Sequence, residues 1–119
     1  MGTLNRWVIR IFAPVLVLSG IAGFFVPSDV ALMSGAPAYN VFHLAAGTLG
    51  LLAAFAGGPR ASAAFNFTFG IVDLYQAIAS AAGLFPAALF AYRPADDVLH
   101  VVLGLGLAAI GALGLRPRE

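Results

Sequence analysis

Four runs of apolar residues, at about 7–26, 41–56, 61–85 and 98–115, make up most of the chain. An α-helix needs about 20 residues to cross a ~30 Å hydrocarbon core, and each run is near that length, the second being the shortest. Helix breakers separate them: "VPSDVALMSGAPAY", "GGPR" and "PAALFAYRPAD". A helix in a water-soluble bundle carries a polar stripe along its outer face. Stretches such as "VVLGLGLAAIGALGL" have none. The pattern predicts an all-α membrane protein, with residues 1–119 forming one domain of four transmembrane helices packed as a bundle.

The third run departs from this apolar character. In "FNFTFGIVDLYQAIAS", the residues Asn66, Gly70, Asp73, Gln76 and Ser80 recur at steps of three and four. That spacing puts them on one helix face. Asp73 falls near the middle of the span, where a carboxylate costs about 2.5–3.5 kcal/mol on insertion scales, so it is expected to face the bundle interior. Asn66, Asp73, Gln76 and Ser80 form a candidate intramembrane polar site. Its structural reading is polar glue between helices. Its functional reading is a transport or proton-conducting centre on Asp73. Arg10 sits too close to the end of the first helix to pair easily with Asp73.

The pattern also repeats. "NVFHLAAG" (Asn40 to Gly47) and "DVLHVVLG" (Asp97 to Gly104) share one spacing and hold both histidines of the chain. Upstream, "GIAGFFVP" matches "SAAGLFP", aligning Gly23 with Gly83 and Phe25 with Phe85. The halves, about 7–56 and 61–115, each contain two spans, so the repeat is parallel and its axis lies along the membrane normal. The first run, behind Arg6 and Arg10, also has features of a cleavable leader. Its match to the third run favours a retained helix.

Charge sets the orientation. The chain has no lysine, and five of its six arginines (Arg6, Arg10, Arg60, Arg116 and Arg118) fall on the side that holds both termini. Arg93 alone lies opposite, beside Asp29, Asp96 and Asp97. The positive-inside rule then predicts both termini in the cytoplasm. Trp7, Tyr39 and Tyr92 fall near predicted helix ends, where amphipathic rings anchor at the interface. A net charge of +1 gives no electrostatic case for nucleic acid, and the absence of cysteine excludes thiolate chemistry.

Asn40 and Asp97 are favoured residue types for helix N-caps. In that register His43 and His100 occupy the third helical position and can reach back to the cap, as in a capping box. Gly47 and Gly104 lie one turn deeper. With Gly50 and Gly111 they form small-residue faces for close helix packing. The alternative is ligation: two histidines on equivalent helices, with glycine making room for a ring, would suit a haem or chlorin. For a bare metal, the nearby oxygen ligands would be only Asp96 and Asp97.

These motifs, with the "FGIVDLY" of the third run and "GLFP" after it, resemble the small bacterial four-helix membrane proteins of the domain of unknown function 4383 family. The resemblance runs from about Val8 to Leu115. It implies a multi-pass protein of the bacterial inner membrane and no particular activity. The expected function is non-enzymatic: an accessory or scaffold subunit packed against lipid, other membrane-protein subunits or further copies of itself. A haem- or chlorin-binding subunit using His43 and His100, and a small transporter centred on Asp73, are the competing expectations.

Overall fold

The computed structural model describes residues 1–117, which places Arg118 and its expected charge outside the described residues. Five helices follow in order: α1 (Gly2–Gly23), α2 (Pro37–Phe55), α3 (Pro59–Ala82), α4 (Ala87–Phe90) and α5 (Pro94–Gly114). There is no strand among the described residues. Three helices, α1, α2 and α5, are long and apolar enough to cross a membrane. At 24 residues α3 is the longest, but Asn66, Asp73 and Gln76 interrupt its apolar surface.

The helices start earlier than the apolar runs do. Pro37, Pro59 and Pro94 open α2, α3 and α5. Proline suits the first helical position because its φ is already helical and its missing N–H has no partner to lose there. This corrects the cap assignment. Ala36 and Arg93 are the N-cap residues, and Asn40 and Asp97 are both at the fourth helical position. The histidines lie correspondingly deeper, six residues beyond each proline, or about 9 Å along the axis. From there neither ring can reach back to a cap.

At the other ends, α1 stops at Gly23 and α3 at Ala82, three residues short of the apolar runs in each case. Gly83 takes a left-handed conformation (φ 69°) that terminates α3, a geometry glycine adopts without steric penalty. The segments 24–36 and 83–93, the second holding α4, fold together over one end of the bundle, called here the loop end. The N-terminus, the short 56–58 connection and residues 115–117 share the opposite end.

Packing is pairwise. α1 lies along α2 and α3 along α5, and the two hairpins meet mainly through α1 and α3. Glycine permits the close approach. A Cβ on Gly47 would stand 2.6 Å from Val17 Cγ2, and one on Gly50 2.9 Å from Ala13 Cβ. In the other pair, a Cβ on Gly104 would stand 2.8 Å from Leu74 Cγ, and one on Gly111 would collide with the Phe67 backbone.

Polarity is distributed inside out. The largest fully buried side chains include Asn5, Asn40, Asn66, Asp73 and Asp96. The outer surface carries Ile11, Leu18, Leu49, Ile78 and Val98, each 60% exposed or more. Water-soluble domains rarely expose apolar patches beyond a few hundred Å².

Candidate functional site: the polar cavity at the loop end

Asp96 organises the loop end. It stands at the third position of α5, and its Oδ2 accepts from the Arg93 N–H (2.8 Å) and from the Ser34 N–H (2.8 Å) of the 24–36 segment. Its Oδ1 accepts from the Tyr39 hydroxyl (3.1 Å). One carboxyl group thus opens α5 and ties to it both the 24–36 segment and α2. Arg93 reinforces the join, its guanidinium donating to the Ser28 and Ala31 carbonyls, while the Ser34 hydroxyl donates to Phe90 O.

Tyr39 bridges two helices whose backbones do not pack against each other. Its ring lies 4.1 Å from that of His43, centroid to centroid, and its oxygen is 2.9 Å from His100 Nε2. A phenol has one proton to give. With that proton donated to Asp96, the His100 Nε2–H donates to the phenol oxygen. His100 Nδ1 is then a bare acceptor, and it is buried with no partner. Tyr39 is completely buried, which corrects its assignment as an interfacial anchor. Its hydroxyl finds partners inside the bundle and needs none in the headgroup layer. Trp7, by contrast, is 58% exposed near the end of α1.

A second chain of hydrogen bonds descends α3. The Tyr92 hydroxyl donates to Gln76 Oε1 (2.9 Å), and Gln76 Nε2 donates to Asp73 Oδ1 (3.1 Å). Burial, with Tyr75 and Asp96 nearby, pushes the Tyr92 phenol above its ordinary value, so it stays protonated and remains a donor across the physiological range. Tyr92 also touches His100 edge-on at 5.4 Å, which links the two chains.

Both chains border one cavity of about 310 Å³, lined by Tyr39, His43, Asp73 and His100 with Phe12 and Phe69 among its apolar walls. A neighbouring cavity of about 330 Å³ lies under the 24–36 segment and shares Ser19, Met33 and His43 with the first. His43 is 6% exposed and stands between the two, its ring making no hydrogen bond.

The residues singled out in the sequence therefore divide into two groups. Asp73, His43 and His100 converge on the cavity, with Gln76 behind Asp73. Asn66 does not. It lies toward the termini end, where its Nδ2 donates to Asn5 Oδ1 (2.9 Å) and Asn5 O (3.2 Å). Asn5 Nδ2 in turn donates to Ile110 O (3.0 Å), so this amide pair joins α1, α3 and α5. Ser80 is half-buried, and Ala79 occupies the fully buried face of α3 in its place. Arg10 turns away from Asp73: its Nε donates to Ala54 O (3.3 Å), and its guanidinium lies 5.0 Å from the Phe55 ring centroid. Asn40 holds the loop, its Nδ2 donating to Gly35 O (2.9 Å).

Sequence reasoning gave Tyr39 only an interfacial role and Asp96 only that of a possible metal oxygen ligand, and it missed Asn5 and Ser34. A signal existed for the first two: each stands four residues before a histidine, in "YNVFH" and "DDVLH", and hence one turn above it on the same face. Nothing comparable marks Asn5 or Ser34, whose partners lie far away in the chain.

Chemically, the cavity can exchange hydrogen bonds or protons with a small guest. It is poorly arranged for a metal: no cluster of three or more His, Asp or Glu ligands exists among the described residues. It also fits a bis-histidine haem poorly, since Tyr39 engages His100 Nε2. Compared with family models, with curated proteins and with solved structures, the chain matches none of them, so the family resemblance rests on the sequence motifs alone.

Proposed function

We propose that this chain is a non-enzymatic integral membrane protein of four spans, acting as an accessory or scaffold subunit. One observation carries the reading: polar side chains share the buried interior with mostly small apolar ones, while large apolar side chains cover the outside. That arrangement suits hydrocarbon or the apolar flank of another membrane protein. In this reading α3 is the fourth span, with its polar stripe turned inward, and both termini are cytoplasmic. The two hairpins are parallel repeats: α1 with α2, and α3 with α5. Support for the repeat comes from the parallel roles of its motifs. Each second helix opens on proline, places a histidine two turns in, and packs against its partner through glycine.

Two experiments test this. The chain has no cysteine, so single cysteines at Asp29 and Arg60 can be labelled with a membrane-impermeant thiol reagent in intact cells. Asp29→Cys is expected to label and Arg60→Cys to label only after lysis; the reverse result refutes the orientation. Purification from native membranes in mild detergent tests the accessory role. A stable larger complex is expected, and a monodisperse single chain refutes it.

A further inference from the structure

The loop-end cavity has features that helix packing does not require. It is reached between α1 and α5, where Val15 (49% exposed) and Leu99 (37% exposed) line it and also lie on the outer surface. That rim is apolar, so a guest must be apolar enough to pass it. No arginine lines the cavity, so nothing there would neutralise a charged phosphate or carboxylate. Phe12, Phe69 and Tyr39 give aromatic walls, against which a flat ring packs well. Besides His100 Nδ1, which has no partner, the floor carries two groups with hydrogen-bonding capacity to spare. His43 has no protein partner, and Asp73 has only one oxygen bonded, to Gln76.

We propose that this cavity binds a lipid-soluble quinone or its quinol: a flat ring bearing carbonyl or hydroxyl oxygens, with an apolar tail leaving between α1 and α5. A neutral imidazole has one donor and one acceptor nitrogen, so His43 can pair with either form of the ring oxygen. Asp73 supplies the second polar contact. An acyl chain would fill the same walls but leave both groups unpaired, which is unfavourable in a buried site. A volume of about 310 Å³ admits a single ring with the start of its tail. The inference concerns binding alone and stands whether or not the chain is an accessory subunit.

Titration of the full chain in nanodiscs with decylubiquinone, followed by calorimetry and thermal melting, tests it; decanol is the tail-only control. Saturable one-site binding and a raised melting temperature are expected with the quinone and not with decanol. His43→Phe keeps a ring but removes both nitrogens, and about tenfold weaker binding is expected, the effect of one lost hydrogen bond. Ser19→Phe should abolish binding by filling the cavity, and serves in place of His43→Phe if that variant does not fold. Thr48→Ala lies on the exposed face of α2 and should bind as the parent does. The proposal is overturned by non-saturable uptake, by equal binding of decanol, or by His43→Phe or Ser19→Phe binding at the parent's affinity.

Discussion

Two polar stations are buried in this bundle, one toward each end, and they are built differently. Toward the termini, Asn5 and Asn66 pair side chain to side chain and close on the Ile110 carbonyl. Gly114 packs against the Asn5 amide there, and Gly111 seats the Phe67 backbone nearby. At the loop end, Asp96, Tyr39 and His100 form an equally buried network, but a cavity opens beside it and His43 is left without a partner. The first station spends its hydrogen bonds on joining three helices. The second does that and keeps groups in reserve. Asn66 Oδ1 has no partner, but Asn66 lines neither loop-end cavity and its Nδ2 is committed to Asn5. His43, by contrast, makes no hydrogen bond and stands beside a cavity, and that difference separates it from Asn66, although both are polar residues inside apolar helices.

Substitutions that disturb the two stations should separate in the same way. The largest effect is expected at Asp96. Alanine there strands the Ser34 and Arg93 N–H groups and the Tyr39 hydroxyl, and a loss of about 3–5 kcal/mol should appear in detergent unfolding curves. Gly111→Leu drives a side chain into the Phe67 backbone and should destabilise by about 2–3 kcal/mol, separating α3 from α5. Asn66→Ala removes the amide bridge for about 1–2 kcal/mol and should leave ligand binding at the loop end unchanged. The smallest effect is expected for His43→Gln, below about 1 kcal/mol, because no protein hydrogen bond is lost and only the ring's packing on Tyr39 changes. If His43→Gln destabilises as much as Asn66→Ala, the two stations are alike and the contrast fails.

The all-helical architecture was legible in the apolar runs, and their breakers marked the connections. Helix limits were less legible. Apolar patterning reports where side chains are buried in hydrocarbon or protein, whereas Pro37, Pro59 and Pro94 decide where the backbone starts to coil. Reading Asn40 and Asp97 as caps followed the first signal and overlooked the second, and it placed both histidines a turn too shallow. Gln76 could be grouped with Asp73 because they lie one turn apart on one helix. Ser80 was grouped with them by the same arithmetic, but the helix surface that α5 and α1 cover is narrower than that stripe.

Local sequence determined what periodicity and backbone chemistry control: helices by composition, starts by proline, the α3 stop by Gly83, and close-packed faces by glycine at helical spacing. It determined that Asp73 and the histidines were unusual, because each is a polar group in an apolar run. Only the tertiary structure decided that they belong together. Tyr39 reaches from α2 to α5, Asp96 gathers donors from the 24–36 segment, and Asn5 crosses to α3 and α5, all contacts between residues distant in the chain. Such meetings depend on how two hairpins dock, and helical periodicity within one run carries no information about its partner. Docking left His43 unpaired beside a cavity and closed Asn66 into a clasp, two fates that the sequence around each residue does not distinguish.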